Sequence, residues 1–471
     1  MTKPTIILAT SNGVGMGHLA RASAIAMALK DKANPIIVSM AGGIAEISSF
    51  TGVRCEYIPG RDRMWMSREK WDIYLRDRLL ALVEETGAKV LSFDGVVPYP
   101  GVIAAKNSNR NLKLVWVRRG LWQKKPQRFV LALQSAMMDK IFEPGDVARA
   151  YDFGPTAQRK DSVLTAPVSL FREVDALSRN DARIALGLDL DRPTALVQLG
   201  TGDSDVNEKM TAALAGLLGW KDLQVVLTKA PIDKDGKSLA PEGLDLKVAR
   251  YFPLANVLHA FDVAICATGY NGVHELLPAQ VPTVFVSNIR GTDDQEARAK
   301  WCNDFGYALR ADQADLADIT AKVKLLQDPQ VRARLSEKCA ELPDTSGGEE
   351  IAEMLYKLAT DPAQSKGSGI TYRRLMIQEH INRGLRHVAH LGLRRVALVY
   401  RFLNPHIKVQ EIDGQAAVFG DQVSSAELHP LIKSTTRFEH LIVGASTSYR
   451  NRREEIAFAA YGKETVITKT K

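Results

Sequence analysis

The nine residues Ala267-Thr268-Gly269-Tyr270-Asn271-Gly272-Val273-His274-Glu275 are the densest chemical feature of this 471-residue chain, and nineteen residues beyond Glu275 stands the pair Asp294-Gln295. An apolar run stops at a small polar turn, and a helix-like segment follows with a glutamate one turn in. The first N–H groups of such a helix lack intrahelical partners and favour an anion. A carboxylate one turn further on can accept hydrogen bonds from sugar hydroxyls, and a second acid–amide pair can grip another polyhydroxyl group. Phosphate, ribose and hexose met in that order describe a nucleotide sugar.

A second constellation is Gly13-Val14-Gly15-Met16-Gly17-His18. Glycines at such a strand-to-helix turn let backbone approach a ligand closely, because no Cβ intervenes. Gly15-x-Gly17-x-x-Ala20 formally fits a dinucleotide fingerprint. That fingerprint needs an acid at the end of the second strand, and residues 36–43 (IIVSMAGG) offer none, which argues against a nicotinamide or flavin. No cofactor is expected, and the reaction is expected to be metal-independent. Gly236-Lys237-Ser238 lacks the upstream glycine of a P-loop, and His387-x-x-His390 is a weak metal signal.

The elements that must position these residues alternate. Residues 5–10, 35–40, 90–93 and 112–117 read as strands, with a helix over 19–29, which argues for a parallel α/β sheet. The rhythm restarts after Pro167 with a short helix over 182–186. Strands follow over 194–199, 225–227, 246–249, 263–266 and 283–286. The fold class is therefore α/β, with two Rossmann-like lobes. The expected boundaries are 1–167 and 168–360, then a linker over 361–369 and a small basic α/β or α+β module over 370–471. In such sheets ligands bind at the carboxyl ends of the strands, where both constellations fall. Within the module, 372–391 reads as a basic helix, 395–402 and 415–419 as strands, and 440–445, 453–460 and 465–468 as strand, helix and strand.

The formal net charge of +8 is carried by residues 366–471, which hold 17 Lys and Arg against 9 Asp and Glu; the remainder is balanced at 45 of each. A basic module on a neutral body suits an anionic partner such as lipid head groups, a phosphate-bearing acceptor or nucleic acid, and equally a solvated basic surface. Four dispersed cysteines without a C-x-x-C pair fit a reduced compartment. The short first apolar run is no signal peptide, and no run approaches eighteen apolar residues. The expected location is cytoplasmic, with any membrane contact peripheral.

The first constellation resembles the donor signature of GT-B-fold UDP-glycosyltransferases. It is similar to the plant and animal enzymes and to the bacterial peptidoglycan N-acetylglucosaminyltransferase group. Gly269, Tyr270, Asn271, Gly272 and Glu275 fall on the Gly, Trp, Asn, Ser and Glu of the pattern His-Cys-Gly-Trp-Asn-Ser-x-x-Glu, and Asp294-Gln295 on its acid–Gln pair. The resemblance implies that Glu275 binds ribose, that the Asn271–Gly272 turn meets the pyrophosphate, that Asp294 and Gln295 hold the donor sugar, and that Thr268 and Gly269 belong to the same donor-binding set. Gly200 and Thr201 would form a phosphate loop, and Phe252 would stand where the family packs uracil. Core packing of Phe252 and an ordinary turn at Thr201 are the competing readings. Two departures stand out: Ala267 replaces a phosphate-contacting His, and Asp203-Ser204-Asp205 stands where some members carry a basic residue.

The glycine loop fits the same likeness, Gly15 and Gly17 lining the acceptor side and His18 falling on the family's catalytic histidine. Inverting glycosyl transfer needs a base for the acceptor hydroxyl, and an imidazole suits it. Asp94, in Phe93-Asp94-Gly95, would orient it. His18 could instead contact the acceptor or cap the helix. The implied activity is an inverting transfer of a hexose or N-acetylhexosamine from a UDP-sugar to a glycan or lipid-linked acceptor. An anionic membrane surface is then the expected partner of the basic module, and nucleic acid is not expected. A nucleotide-sugar epimerase or hydrolase, or a non-catalytic donor-binding subunit, are the alternatives.

Overall fold

The computed structural model describes residues 3–11, 16–61, 66–109, 111–123, 131, 134–157, 159–200, 204–228, 238, 240–289, 292–343, 345–363 and 365. Beyond them it describes three strands, at 408–412, 415–419 and 465–466. Two compact units result, one formed by Met1–Lys125 with Val130–Ser368, the other by Pro126–Phe129 with Gly369–Lys471.

The first unit holds two parallel sheets. Its amino-terminal strands are β1 (Thr5–Thr10), β2 (Asn34–Ser39), β3 (Arg54–Tyr57), β4 (Val90–Asp94), β5 (Lys113–Val117), β6 (Lys140–Glu143) and β7 (Val163–Leu164). They lie in the order β3-β2-β1-β4-β5-β6-β7. Helices α1 (Gly17–Leu29), α2 (Ile44–Thr51), α3 (Arg68–Thr86) and α4 (Pro100–Ser108) connect them. The second sheet is ordered β10-β9-β8-β11-β12-β13. Its strands are β8 (Thr194–Gln198), β9 (Gln224–Leu227), β10 (Asp245–Val248), β11 (Val263–Ala267), β12 (Thr283–Val286) and β13 (Leu309–Ala311). Around it pack α5 (Arg179–Ala185), α6 (Ser204–Leu217), α7 (Tyr270–Leu276), α8 (Gln295–Asp304), α9 (Leu316–Leu325) and α10 (Pro329–Cys339). Strands buried on both faces read as continuous apolar runs, so the central strands match the sequence reading to within about a residue.

α11 (Gly347–Thr360) departs from the expected second-lobe boundary. Its buried residues Ile351, Ala352, Leu355 and Ala359 sit in the first lobe's core with Leu19, Ile25 and Leu29 of α1. An apolar stripe must be buried somewhere, and the chain crosses back to find that surface. Lys113, buried on β5, secures the crossing by donating to the carbonyls of Leu358 and Asp361 at 2.9 and 2.8 Å.

In the second unit β14 (Lys408–Ile412) and β15 (Gln415–Phe419) form an antiparallel pair, and β16 (Thr465–Val466) runs parallel to β15. The sequence reading had β15 and the start of β16 but not β14. Its expected helices over 372–391 and 453–460 and strands over 395–402 and 440–445 lie outside the described residues.

The lobe linker passes against α11 at Gly347, where a Cβ would meet the Ala166 carbonyl oxygen at 2.0 Å and that of Pro167 at 2.8 Å. Backbone cannot yield as a side-chain tip can. Gly347→Ala is therefore expected to destabilise the first unit by about 1–3 kcal/mol, seen as a lowered thermal midpoint.

Candidate active site

β1 and β4 end side by side, Thr10 opposite Asp94, and the chain re-enters helix at Gly17. His18 and Asp94 therefore meet at the carboxyl edge of the sheet. Nδ1 of His18 lies 2.6 Å from Oδ1 of Asp94. Arg21, one turn along α1, grips the same carboxylate twice, Nε donating to Oδ2 at 3.0 Å and a terminal nitrogen to Oδ1 at 2.6 Å. That nitrogen is also 2.8 Å from His18 Nδ1. The contact with an anionic oxygen places the proton on Nδ1, leaving Nε2 as the lone-pair nitrogen.

Burial alone would raise Asp94, but Arg21 and His18 hold it below the usual carboxylate range. Burial lowers His18 despite Asp94, with Arg21 and Arg119 adding to the effect, so the imidazole is neutral near pH 7. A neutral ring with a free Nε2 is the form a general base needs.

On the second lobe, β11 delivers Gly269 as the N-cap of α7. Asn271 donates from Nδ2 to the Gly17 carbonyl at 3.4 Å, so the two constellations touch across the lobes. Its Oδ1 is buried and has no hydrogen-bond partner among the described residues. A Cβ at Gly272 would stand 2.9 Å from Cys266 Sγ, so any side chain there would have to displace that sulfur. Burial pushes the Glu275 carboxyl up to about 8, and its nearness helps burial raise Cys266 to about 12.

Gly200 follows β8 at a positive φ of 95°, which favours glycine. Asn288 donates from Nδ2 to the Leu199 carbonyl at 2.9 Å, and its backbone N–H donates to Gln295 Oε1 at 2.9 Å. The Gly200 turn and Gln295 are thereby brought together. Asp294 caps α8, accepting from the Ala297 N–H at 3.1 Å. Phe252, half-buried, meets Phe50 of the first lobe edge to face at 5.7 Å. The Thr268 side chain is fully buried, with its hydroxyl 3.3 Å from that of Ser287. Gly15 and Thr201 lie outside the described residues.

The sequence reading missed the charges that join the lobes. Arg298 donates to Asp146 at 2.9 and 3.0 Å, to Asp293 at 3.0 Å and to the Thr268 carbonyl at 2.8 Å. Asp293 also accepts from Arg119 at 3.0 Å. Backbone ties run alongside, Asp294 N–H to the Leu121 carbonyl at 3.0 Å and Gln123 N–H to that of Thr292 at 2.8 Å. Arg21, Arg119 and Arg298 stand 5.2, 5.6 and 5.9 Å from the ring centre of Tyr270, within cation–π range. The Tyr270 hydroxyl donates to the Gly145 carbonyl at 2.8 Å and accepts from the Val168 N–H at 2.9 Å. Arg21, at i+3 from His18, and Arg118-Arg119 at a strand end were the available signals.

Among the described residues, no group of His, Cys, Asp and Glu could hold a metal, and no helix is long and apolar enough to cross a membrane.

Residues 200–353 match the glycosyltransferase family 28 C-terminal domain. The chain is similar to a UDP-N-acetylglucosamine–N-acetylmuramyl-(pentapeptide) pyrophosphoryl-undecaprenol N-acetylglucosamine transferase from Nocardioides sp. They are 30% identical over 190 residues, covering 39% of this chain and 52% of that protein. Here the chain spans about half the length of the curated relative it matches. A protein of the same name from Cutibacterium acnes is 27% identical over 282 residues, 58% of this chain and 73% of its own. A solved glycosyltransferase from Rickettsia africae superposes with a TM-score of 0.54 at 11% identity, over 77% of this chain and all of that one. The chain thus has the GT-B architecture and resembles GT-B UDP-glycosyltransferases.

Glu275 also leaves a mark on stability. Its carboxyl rises from 4.5 to about 8 on folding. Folding therefore takes up a proton between those values, and stability falls as pH rises from about 4.5 through about 8. In Glu275→Gln that part of the slope should vanish, measured by thermal unfolding across the window. A slope identical to wild type would place the carboxyl in water.

Proposed function

We propose that this chain is an inverting glycosyltransferase that moves a hexose or N-acetylhexosamine from a UDP-sugar to an acceptor hydroxyl. The observation that carries the reading is the contact of Asn271 with Gly17, which sets a donor motif, with one acceptor unpartnered among the described residues, beside the His18–Asp94 pair. Glu275 would accept hydrogen bonds from the ribose hydroxyls. Asn271 and the backbone at Gly269 and Gly272 would border the diphosphate, and Asp294 and Gln295 the sugar. The acceptor oxygen attacks the anomeric carbon from the face opposite the diphosphate, its proton passes to His18 Nε2, and Asp94 stabilises the resulting imidazolium. The donor C–O bond breaks with its electron pair left on the diphosphate.

A lipid-linked glycan is the proposed acceptor, supported by the undecaprenol-linked substrate in the names of both curated relatives. The basic charge of residues 366–471 would hold the enzyme near anionic head groups.

Calorimetry with UDP tests the donor site. Glu275→Ala should weaken UDP roughly 10- to 100-fold, the range for hydrogen bonds to a charged group, and leave the thermal midpoint no lower. Because the free carboxyl titrates near 8 and the anion is the better acceptor, wild-type affinity should drop as pH falls from 9 to 6. It should do so by up to about tenfold per unit below 8, with a flat profile in Glu275→Gln. Equal affinity in wild type and Glu275→Ala would remove the ribose assignment. His18→Ala should abolish turnover while sparing UDP binding. Conversion of UDP-N-acetylglucosamine with no acceptor present would instead mark an epimerase or hydrolase.

A further inference from the structure

Among the described residues, the donor lobe offers no uncommitted cation next to the Gly200 turn. The sequence after β8 continues Gly200-Thr201-Gly202-Asp203-Ser204-Asp205, with no basic residue. Lys209, the next cation, is buried and committed to Asp205 at 2.9 Å and Gln313 at 3.0 Å. Arg298 is held on both sides by Asp146 and Asp293. A sugar leaving with cleavage at its anomeric carbon puts an added negative charge on the diphosphate, and that charge needs a preorganised counter-charge.

Arg119 meets the requirement from the opposite wall. It lies just beyond β5, the neighbour of the strand that presents Asp94. One terminal nitrogen is fixed on Asp293 Oδ1, immediately before the Asp294-Gln295 pair. The side chain stacks near Tyr270, the first residue of α7, and keeps 14% of its surface exposed. Its field also reaches His18. A guanidinium has five N–H donors in a planar fork, and among the described residues only Asp293 takes one by hydrogen bond, which leaves most of the fork to offer a ligand. Burial lowers its pKa although Asp293 opposes the effect, the condition of a cation that gains from a second anion.

We propose that Arg119 is the cation that meets the nucleoside diphosphate, crossing from the first lobe to neutralise the charge left on it by bond cleavage. This rests on the glycosyltransferase reading above. In the step, the acceptor oxygen forms the new C–O bond, its proton goes to His18 Nε2, and the electron pair of the broken bond stays on the β-phosphate oxygen beside Arg119. The chemistry recognised is a diphosphate, and an acceptor carrying one is the other possible source.

Calorimetry on the full chain separates these cases, with UDP, uridine and an alkyl diphosphate as probes for wild type, Arg119→Gln and Arg119→Lys. Arg119→Gln should weaken UDP roughly 10- to 100-fold and leave uridine unchanged, with partial recovery in Arg119→Lys. Uridine serves as the control for folding and for the Glu275 contact. Unchanged UDP affinity in Arg119→Gln overturns the assignment while the wider reading stands. Loss confined to the alkyl diphosphate overturns it in favour of the acceptor, and equal loss of UDP and uridine overturns it as a structural effect. A wild-type protein that binds no UDP sinks both this inference and the function it rests on.

Discussion

Three guanidiniums packed about the ring of Tyr270 can be buried together only if anions are buried with them. Asp94 answers Arg21, Asp293 answers Arg119 and Arg298, and Asp146 answers Arg298. Removing one partner from such a set would strand a charge in a low dielectric at a cost of about 3–5 kcal/mol, so the set holds as a whole. Its members come from both lobes. The line along which the two sheets approach is therefore fixed by charge matching, reinforced by the backbone ties between 121–123 and 292–294.

That matching decides what remains available for chemistry. Asp94 is kept anionic by Arg21, so it can hold the proton of His18 on Nδ1 and expose Nε2. Glu275 stands outside the network, and burial pushes its carboxyl up to about 8. A carboxyl that burial disfavours as an anion gains most when hydroxyl donors arrive, a property suited to recognising a sugar. Asn271, whose amide spans to Gly17 while its carbonyl oxygen has no partner among the described residues, belongs to both walls.

The central strands were readable because a parallel sheet covered on both faces needs uninterrupted apolar runs. His18, Asn271 and Glu275 were readable because each lies within a few residues of a strand end, where local order already implies a site. β3, β6 and β13 are short or half-exposed and carry no such run. Thr268 continues the line of a buried strand, and its hydroxyl faces Ser287 on the next loop.

The sequence by itself determined the two α/β halves, the strand-end location of both constellations and the excess charge of the last hundred or so residues. These follow from periodicity, glycine and composition, which act over short stretches of chain. Tertiary structure alone decided that α11 returns to the first lobe and that Arg21, Arg119 and Arg298 converge on Tyr270. Arginine in a sequence reads as surface, and the carboxylates that allow its burial lie from 5 to 174 residues away in the chain. Only folding brings such partners within hydrogen-bonding distance.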